Sequence, residues 1–196
     1  MSERCSSVVA LTVLLTLSLG CDVTTPTTTT EVRVGTLDGT DGMVAIARSG
    51  TRLRVYTCGG ASTVTTHTGW TDVTLAGDAF TGSGSSGLSV QGTWSADAAT
   101  GTLTVAGGGK VSFTARAPSA GTPMGLYVGP EAPCRTGLIV GGMPGSLAAV
   151  GAWCDGAGVI GQVVPILPIA EVAQGVAVRR TVDPATVQSL VQRLTL

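Results

Sequence analysis

From Glu31 onward, apolar residues recur at every second position rather than at helical spacing: Val32 and Val34, Leu53 and Val55, Val73 and Leu75, Leu88 and Val90, Leu103 and Val105, Val111 and Phe113. Short runs of strict alternation are the mark of strands with one buried face. The threonines between them are β-branched and suit a pleated surface. Turn signals divide the runs at Ser49-Gly50, Gly59-Gly60, Gly69, Gly77-Asp78, Thr100-Gly101 and Gly107-Gly108-Gly109. This pattern predicts an all-β protein, an antiparallel sandwich or small barrel. Composition agrees. With 29 glycines, 12% charged residues and a net charge of -1 in 196 residues, the chain is neither a disordered polyelectrolyte nor a coiled coil. Its eleven basic residues are scattered, apart from Arg179-Arg180 and the pair Arg52 and Arg54, which argues against a nucleic-acid partner.

The first thirty residues read differently. Val8 to Leu19 is an apolar run of twelve broken only by Thr and Ser, too short for a bilayer, which needs about 20 residues as helix, and suited to the core of a signal peptide over residues 1–20. It ends in Leu17-Ser18-Leu19-Gly20-Cys21, which resembles the lipobox of bacterial lipoproteins. That resemblance implies acylation at Cys21, palmitate among the acyl groups, and a membrane as partner through the anchor. Asp22 to Thr30 holds six threonines and one proline and has almost nothing to bury, so residues 21–30 read as the lipidated cysteine and a linker. Nine extended residues reach at most about 30 Å.

The remainder divides softly near Pro118 to Pro123, giving a β domain over 31–117 and a second β-rich segment over 124–196. The segments can be one domain or two related β lobes. Val44-Ala45-Ile46 followed by Tyr56-Thr57-Cys58-Gly59-Gly60 has an echo in Leu138-Ile139-Val140 followed by Trp153-Cys154-Asp155-Gly156, either a duplication or a chance match of two glycine-rich hairpins. Thr136 to Cys154 runs nineteen residues without a charge. Its centre, Gly141-Gly142-Met143-Pro144-Gly145-Ser146, makes turns rather than helix, so a buried hairpin is expected. At the end, Asp183 can cap, Pro184 suits a first turn, and Val187, Leu190, Val191 and Leu194 recur at helical spacing, which predicts one short C-terminal helix.

Few residues carry recognisable chemistry. Gly82-Ser83-Gly84-Ser85-Ser86-Gly87 matches the dinucleotide fingerprint in letters, yet the residues after it alternate as a strand where that site needs a helix. His67 is the only histidine; it is read on a strand of hydroxyls with Asp72 nearby in sequence, and a triad is recognised only by geometry. Asp38-Gly39-Thr40-Asp41-Gly42 lacks the further ligands of a calcium loop and reads as a turn. No metal or cofactor site is expected. Trp70, Trp94 and Trp153 fall at strand ends or turns, where tryptophan serves either as core or as a flat face for sugars or partners.

Cysteine usage adds a constraint. Signal cleavage would remove Cys5 and acylation would consume Cys21, leaving Cys58, Cys134 and Cys154 in an oxidising compartment. Cys134 and Cys154 lie symmetrically about Pro144, so a hairpin turning on Pro144 would oppose them at a bridging distance. A Cys134–Cys154 disulfide is therefore expected, with Cys58 as a small buried hydrophobe.

The order of Val44-Ala45-Ile46, Gly50, Val55-Tyr56 with Cys58 and Gly60, Gly69, Leu75 with Gly77, Gly92-Thr93, Phe113-Thr114-Ala115 and Gly125-Leu126-Tyr127 resembles a β-rich domain found in secreted and anchored proteins of high-GC bacteria. Gly59 stands where that order has aspartate, and Thr66 where it has tryptophan. The resemblance implies fold rather than activity. The expectation is a lipid-anchored, extracytoplasmic envelope protein and a non-enzymatic binding or structural module with a protein or glycan partner. The alternatives are a carrier of a hydrophobic ligand and a hydrolase centred on His67.

Overall fold

The computed structural model describes residues 29–84, 86–129, 135–143, 146–154, 160–169, 171–172, 175–180, 188–194 and 196. They form an all-β protein of two antiparallel sheets. The first sheet contains β1 (Glu31–Leu37), β2 (Met43–Ser49), β3 (Arg52–Cys58), β4 (Gly69–Thr74), β5 (Ala79–Ser83), β6 (Ser89–Trp94), β7 (Ala98–Thr104) and β8 (Lys110–Arg116), with the one-turn helix α1 (Val64–His67) between β3 and β4.

Its order is β4-β3-β2-β1-β8-β7-β6-β5. Each neighbour is also a neighbour in sequence except β1 and β8, whose pairing of Val34 with Arg116 and Leu37 with Phe113 brings the two halves together. The free edges β4 and β5 then approach each other, with Gly82 packed on Val73, and the sheet is nearly closed. Side chains fill the inside: Leu37, Val44, Ile46, Leu53, Val55, Phe80, Val90, Trp94, Leu103 and Phe113 are among its buried residues. A small barrel filled in this way has a core and no lumen.

Thr100-Gly101, read from sequence as a turn, lies inside β7, and the turn is made by residues 95–97. Gly101 pairs with Gly92 across the ladder. A Cβ on Gly92 would stand 2.7 Å from Cζ of Phe80, and one on Gly101 2.7 Å from Cζ of Phe113. The glycines are thus a flat floor for two phenyl rings.

The second sheet contains β9 (Gly125–Val128), β10 (Gly137–Met143), β11 (Ser146–Cys154), β12 (Ile160–Pro165), β13 (Glu171–Val172), β14 (Gly175–Arg180) and β15 (Gln188–Arg193), ordered β12-β11-β10-β9-β15-β14-β13. Pairing of β12 with β14 links its ends. Tyr127, Leu138, Val140, Trp153, Val163, Val176, Val178 and Val191 pack on its inner face. The other face, with Leu126, Ile139 and Ala152, packs against Val34, Met43, Ala45, Ala47, Tyr56 and Cys58 of the first sheet. Strands buried on both faces lose the polar half of the alternation, which accounts for the lack of charge over Gly137 to Gly141 of β10 and Gly151 to Trp153 of β11, whereas Ser146 and Ala148 of β11 are exposed. The same reason leaves Met43 to Ala47 buried throughout.

Three further expectations are corrected. Gln188–Arg193 is a strand, not a C-terminal helix, because it fills the slot between β9 and β14, with Val191 opposite Val176 and Arg193 opposite Tyr127. Burial of Val191 in that slot outweighs the helical spacing, since a short helix has little stability without a packed face. The expected cap, Asp183, and Val187 lie outside the described residues. His67 ends α1 rather than lying on a strand.

The third correction concerns the β10–β11 hairpin, which exists as expected but in a register shifted by one residue. Met143 pairs with Ser146 and Gly137 with Ala152, so paired residue numbers sum to 289 where a hairpin centred on Pro144 would give 288. This register sets Gly137, whose carbonyl accepts from the Tyr56 hydroxyl, opposite Ala152, whose N–H donates to it, so contact with the first sheet favours it. The position that this register would set opposite Cys154 is Arg135, not Cys134, so direct opposition of the two cysteines no longer supports their pairing. Cys134 itself lies outside the described residues. No helix of the described residues is long and apolar enough to cross a membrane.

Candidate functional site

A hollow lies between the two sheets. It measures about 240 Å³ and is lined by Tyr56, Thr68, Gly69, Trp70, Ser86, Arg135, Ala152, Trp153, Cys154 and Ile160. Tyr56 and Trp70 are cross-strand partners on β3 and β4, and their rings stack at 4.3 Å between centroids. The Arg135 guanidinium carbon is 5.1 Å from the Trp70 ring centroid, a cation–π distance. The Trp70 indole N–H donates to the Arg135 carbonyl at 3.4 Å. Trp153 enters from β11, its indole packed on Gly161.

The floor of this cleft joins the sheets. The buried Tyr56 hydroxyl donates to the Gly137 carbonyl and accepts from the Ala152 N–H, both at 3.2 Å. Gly137 and Ala152 are partners across β10 and β11, so one phenol from the first sheet ties off the base of a hairpin in the second. Gly137 has to be glycine, because a Cβ there would strike the Tyr56 ring.

Beneath Tyr56, Cys58 is a free, buried thiol. It donates to the Gly59 carbonyl at 3.4 Å and accepts from the Thr68 hydroxyl at 3.6 Å. Burial pushes its pKa up to about 11, and burial likewise holds the Tyr56 phenol well above its ordinary value. Both groups are therefore neutral at physiological pH. Cys154 is engaged in a disulfide; since Cys58 is free, its partner lies outside the described residues.

The other sequence candidates are placed apart. The His67 Nδ1 is 2.8 Å from the Thr66 hydroxyl, while Asp72 is held by Arg54 at 2.7 Å in an exposed ion pair. The imidazole and the carboxylate therefore have different partners. Asp38 to Gly42 is the β1–β2 turn, closed by the Leu37 N–H on the Gly42 carbonyl. Although burial acts against it, hydrogen bonds from the Thr63 hydroxyl and the Ser62 and Gly60 backbones hold the Asp41 carboxyl below its ordinary pKa. This carboxylate pins the loop that leads into α1. The glycine-rich segment at Gly82 continues through a turn into strand β6. Among the described residues, no group of three His, Cys, Asp or Glu side chains could hold a metal ion.

Of the three tryptophans, Trp70 and Trp153 share the cleft, and Trp94 does not. Trp94 closes one end of the first sheet beneath Arg33, whose guanidinium carbon lies 3.8 Å from the ring centroid. Arg33 donates to the Ser95 and Ala96 carbonyls at 2.6 and 3.0 Å, and burial lowers its pKa. Tyr56, Thr68 and Arg135 were not marked as site residues by the sequence. A signal did exist: the echoed segments Tyr56-Thr57-Cys58 and Trp153-Cys154 both contribute to the cleft.

The arrangement offers flat apolar rings, the hydroxyl of Ser86, and a guanidinium stacked on an indole, while the Thr68 hydroxyl is committed to Cys58 and Gly59. These groups suit recognition of a small ring or a partner side chain, and the volume lies at the small end of ligand pockets. Comparison of the chain with family models, curated proteins and solved structures found no match in any of the three.

Proposed function

We propose that this is a lipid-anchored extracytoplasmic protein of the bacterial envelope. Its two sheets form a non-enzymatic module that receives a glycan ring or a protein side chain in the cleft at Trp70 and Trp153. The observation that carries the binding role is the convergence of Tyr56, Trp70, Trp153 and Arg135 between the two sheets. Aromatic faces beside hydroxyl and guanidinium donors are the usual equipment for that task. A carrier role has less support, because side chains occupy the interior of the first sheet. A hydrolase role has less as well, because Asp72 is committed to Arg54.

Two experiments test this reading. Titration with glycan fragments should quench tryptophan emission in the wild type and leave Trp70→Ala unchanged. Equal quenching in both, or none in either, would exclude the cleft as a glycan seat. For the anchor, radiolabelled palmitate should enter the wild type and not Cys21→Ser; equal labelling would remove acylation at Cys21. Cys134 is proposed as the partner of Cys154, which leaves Cys58 as the free thiol.

A further inference from the structure

The chain leaves β12 through Pro165, Ile166, Leu167 and Pro168. Leu167 is 76% exposed and is the one large hydrophobic side chain so exposed among the described residues. A shallow hollow of about 490 Å³ beside it is lined by Val164, Pro165, Ile166, Leu167 and Arg179. Gly161 to Ile169 contains no charge. Arg179 is exposed and sits opposite Val164 in the β12–β14 ladder, so a cation flanks an apolar lip.

Strand direction places this lip. β12 and β15 each run antiparallel to β14, so they point the same way, and the lip lies at the end of the sheet toward which β15 runs. There the chain reaches Leu196, whose N–H donates to the Thr30 hydroxyl at 2.9 Å. Thr30 is where the nine-residue linker to Cys21 joins the fold.

We infer that the Pro165–Pro168 lip and Arg179 are a membrane-contact surface, with Leu167 seated at the boundary of headgroups and acyl chains and Arg179 on an anionic headgroup. Apolar side chains beside cations are the chemistry of interfacial binding. A second copy of the chain fits less well, since a stable dimer needs roughly 1,000 Å² of buried surface and the lip exposes one large apolar side chain. The orientation, though not the chemistry of the lip, rests on the anchored reading given above.

The test uses the chain from Thr29, which holds every strand of both sheets and lacks Cys21, in co-sedimentation with lipid vesicles. Binding to vesicles containing phosphatidylglycerol should exceed binding to pure phosphatidylcholine and should fall as salt is raised. Leu167→Asp should weaken it about tenfold, and Arg179→Glu should weaken it on the anionic vesicles alone. Both residues are exposed, so circular dichroism should be unchanged. In a second measurement, Leu167→Trp, tethered to nickel-chelating lipid through an N-terminal His-tag, should have its added emission quenched by brominated lipid. Vesicle binding unaffected by Leu167→Asp, or absence of both binding and quenching, would overturn the inference, as would loss of self-association in Leu167→Asp with membrane binding intact. Failure of palmitate labelling with vesicle binding preserved would remove the anchor and leave the lip.

Discussion

Replacing Tyr56 by alanine should lower the free energy of unfolding by about 3–5 kcal/mol, the range for removing a large buried ring. Tyr56 is 1% exposed, stacks on Trp70 and packs between the sheets. Tyr56→Phe separates the ring from its hydroxyl. It keeps the stacking but leaves the Gly137 carbonyl and the Ala152 N–H without the partner that joins them, and a buried polar group stranded in this way costs about 1–3 kcal/mol. Urea unfolding followed by far-ultraviolet circular dichroism reads both variants, with a shift in midpoint at unchanged slope as the sign of a pure stability effect. A Tyr56→Phe protein as stable as the wild type would mean that the hydroxyl does not hold the hairpin base.

Stability should also fall steeply in alkali through Cys58. Burial raises its pKa from 9.0 to about 11, so between those values the folded protein keeps a proton that the unfolded chain has released. Stability declines with pH wherever the unfolded state binds fewer protons. The contribution is therefore fully present below about pH 9 and is lost as pH rises toward about 11, a loss of about 2–3 kcal/mol. The raised phenol of Tyr56 extends the decline in the same direction above its ordinary value of 10.0. Cys58→Ala should flatten the profile between pH 9 and 11; an identical slope in that variant would assign the effect to other groups. The same burial predicts that a thiol reagent leaves the native chain from Thr29 unlabelled. After unfolding without reduction it should label Cys58 alone, with Cys134 and Cys154 recovered as a linked peptide pair. Label on Cys134 would remove that pairing.

Most strands are legible because alternation is a local property. Leu53 and Val55, or Leu88 and Val90, declare a buried face whatever lies opposite. The hairpin in the uncharged stretch is legible too, since Gly141 to Ser146 cannot continue a helix. The cleft is less so. Trp70 and Trp153 attract notice as aromatics at strand ends, but they are 83 positions apart, and no periodicity reports that two such residues meet. Arg135 has no signature, because a single arginine acquires meaning only from the ring beneath it.

The sequence by itself therefore determined an all-β chain and the places of most of its strands. Each depends on spacing within a few residues and on the cost of exposing apolar side chains. Tertiary structure decided what depends on partners. The pairing of β1 with β8 nearly closes the first sheet. The gap between β9 and β14 makes Gln188–Arg193 a strand although its apolar residues recur at helical spacing. Contact of Tyr56 with Gly137 and Ala152 goes with a β10–β11 register one residue from the expected one, and in a strand such a shift exchanges the two faces. The cleft lies where the two sheets meet, packed through residues such as Ala45, Leu126 and Ile139 and tied by the Tyr56 hydroxyl to Gly137 and Ala152.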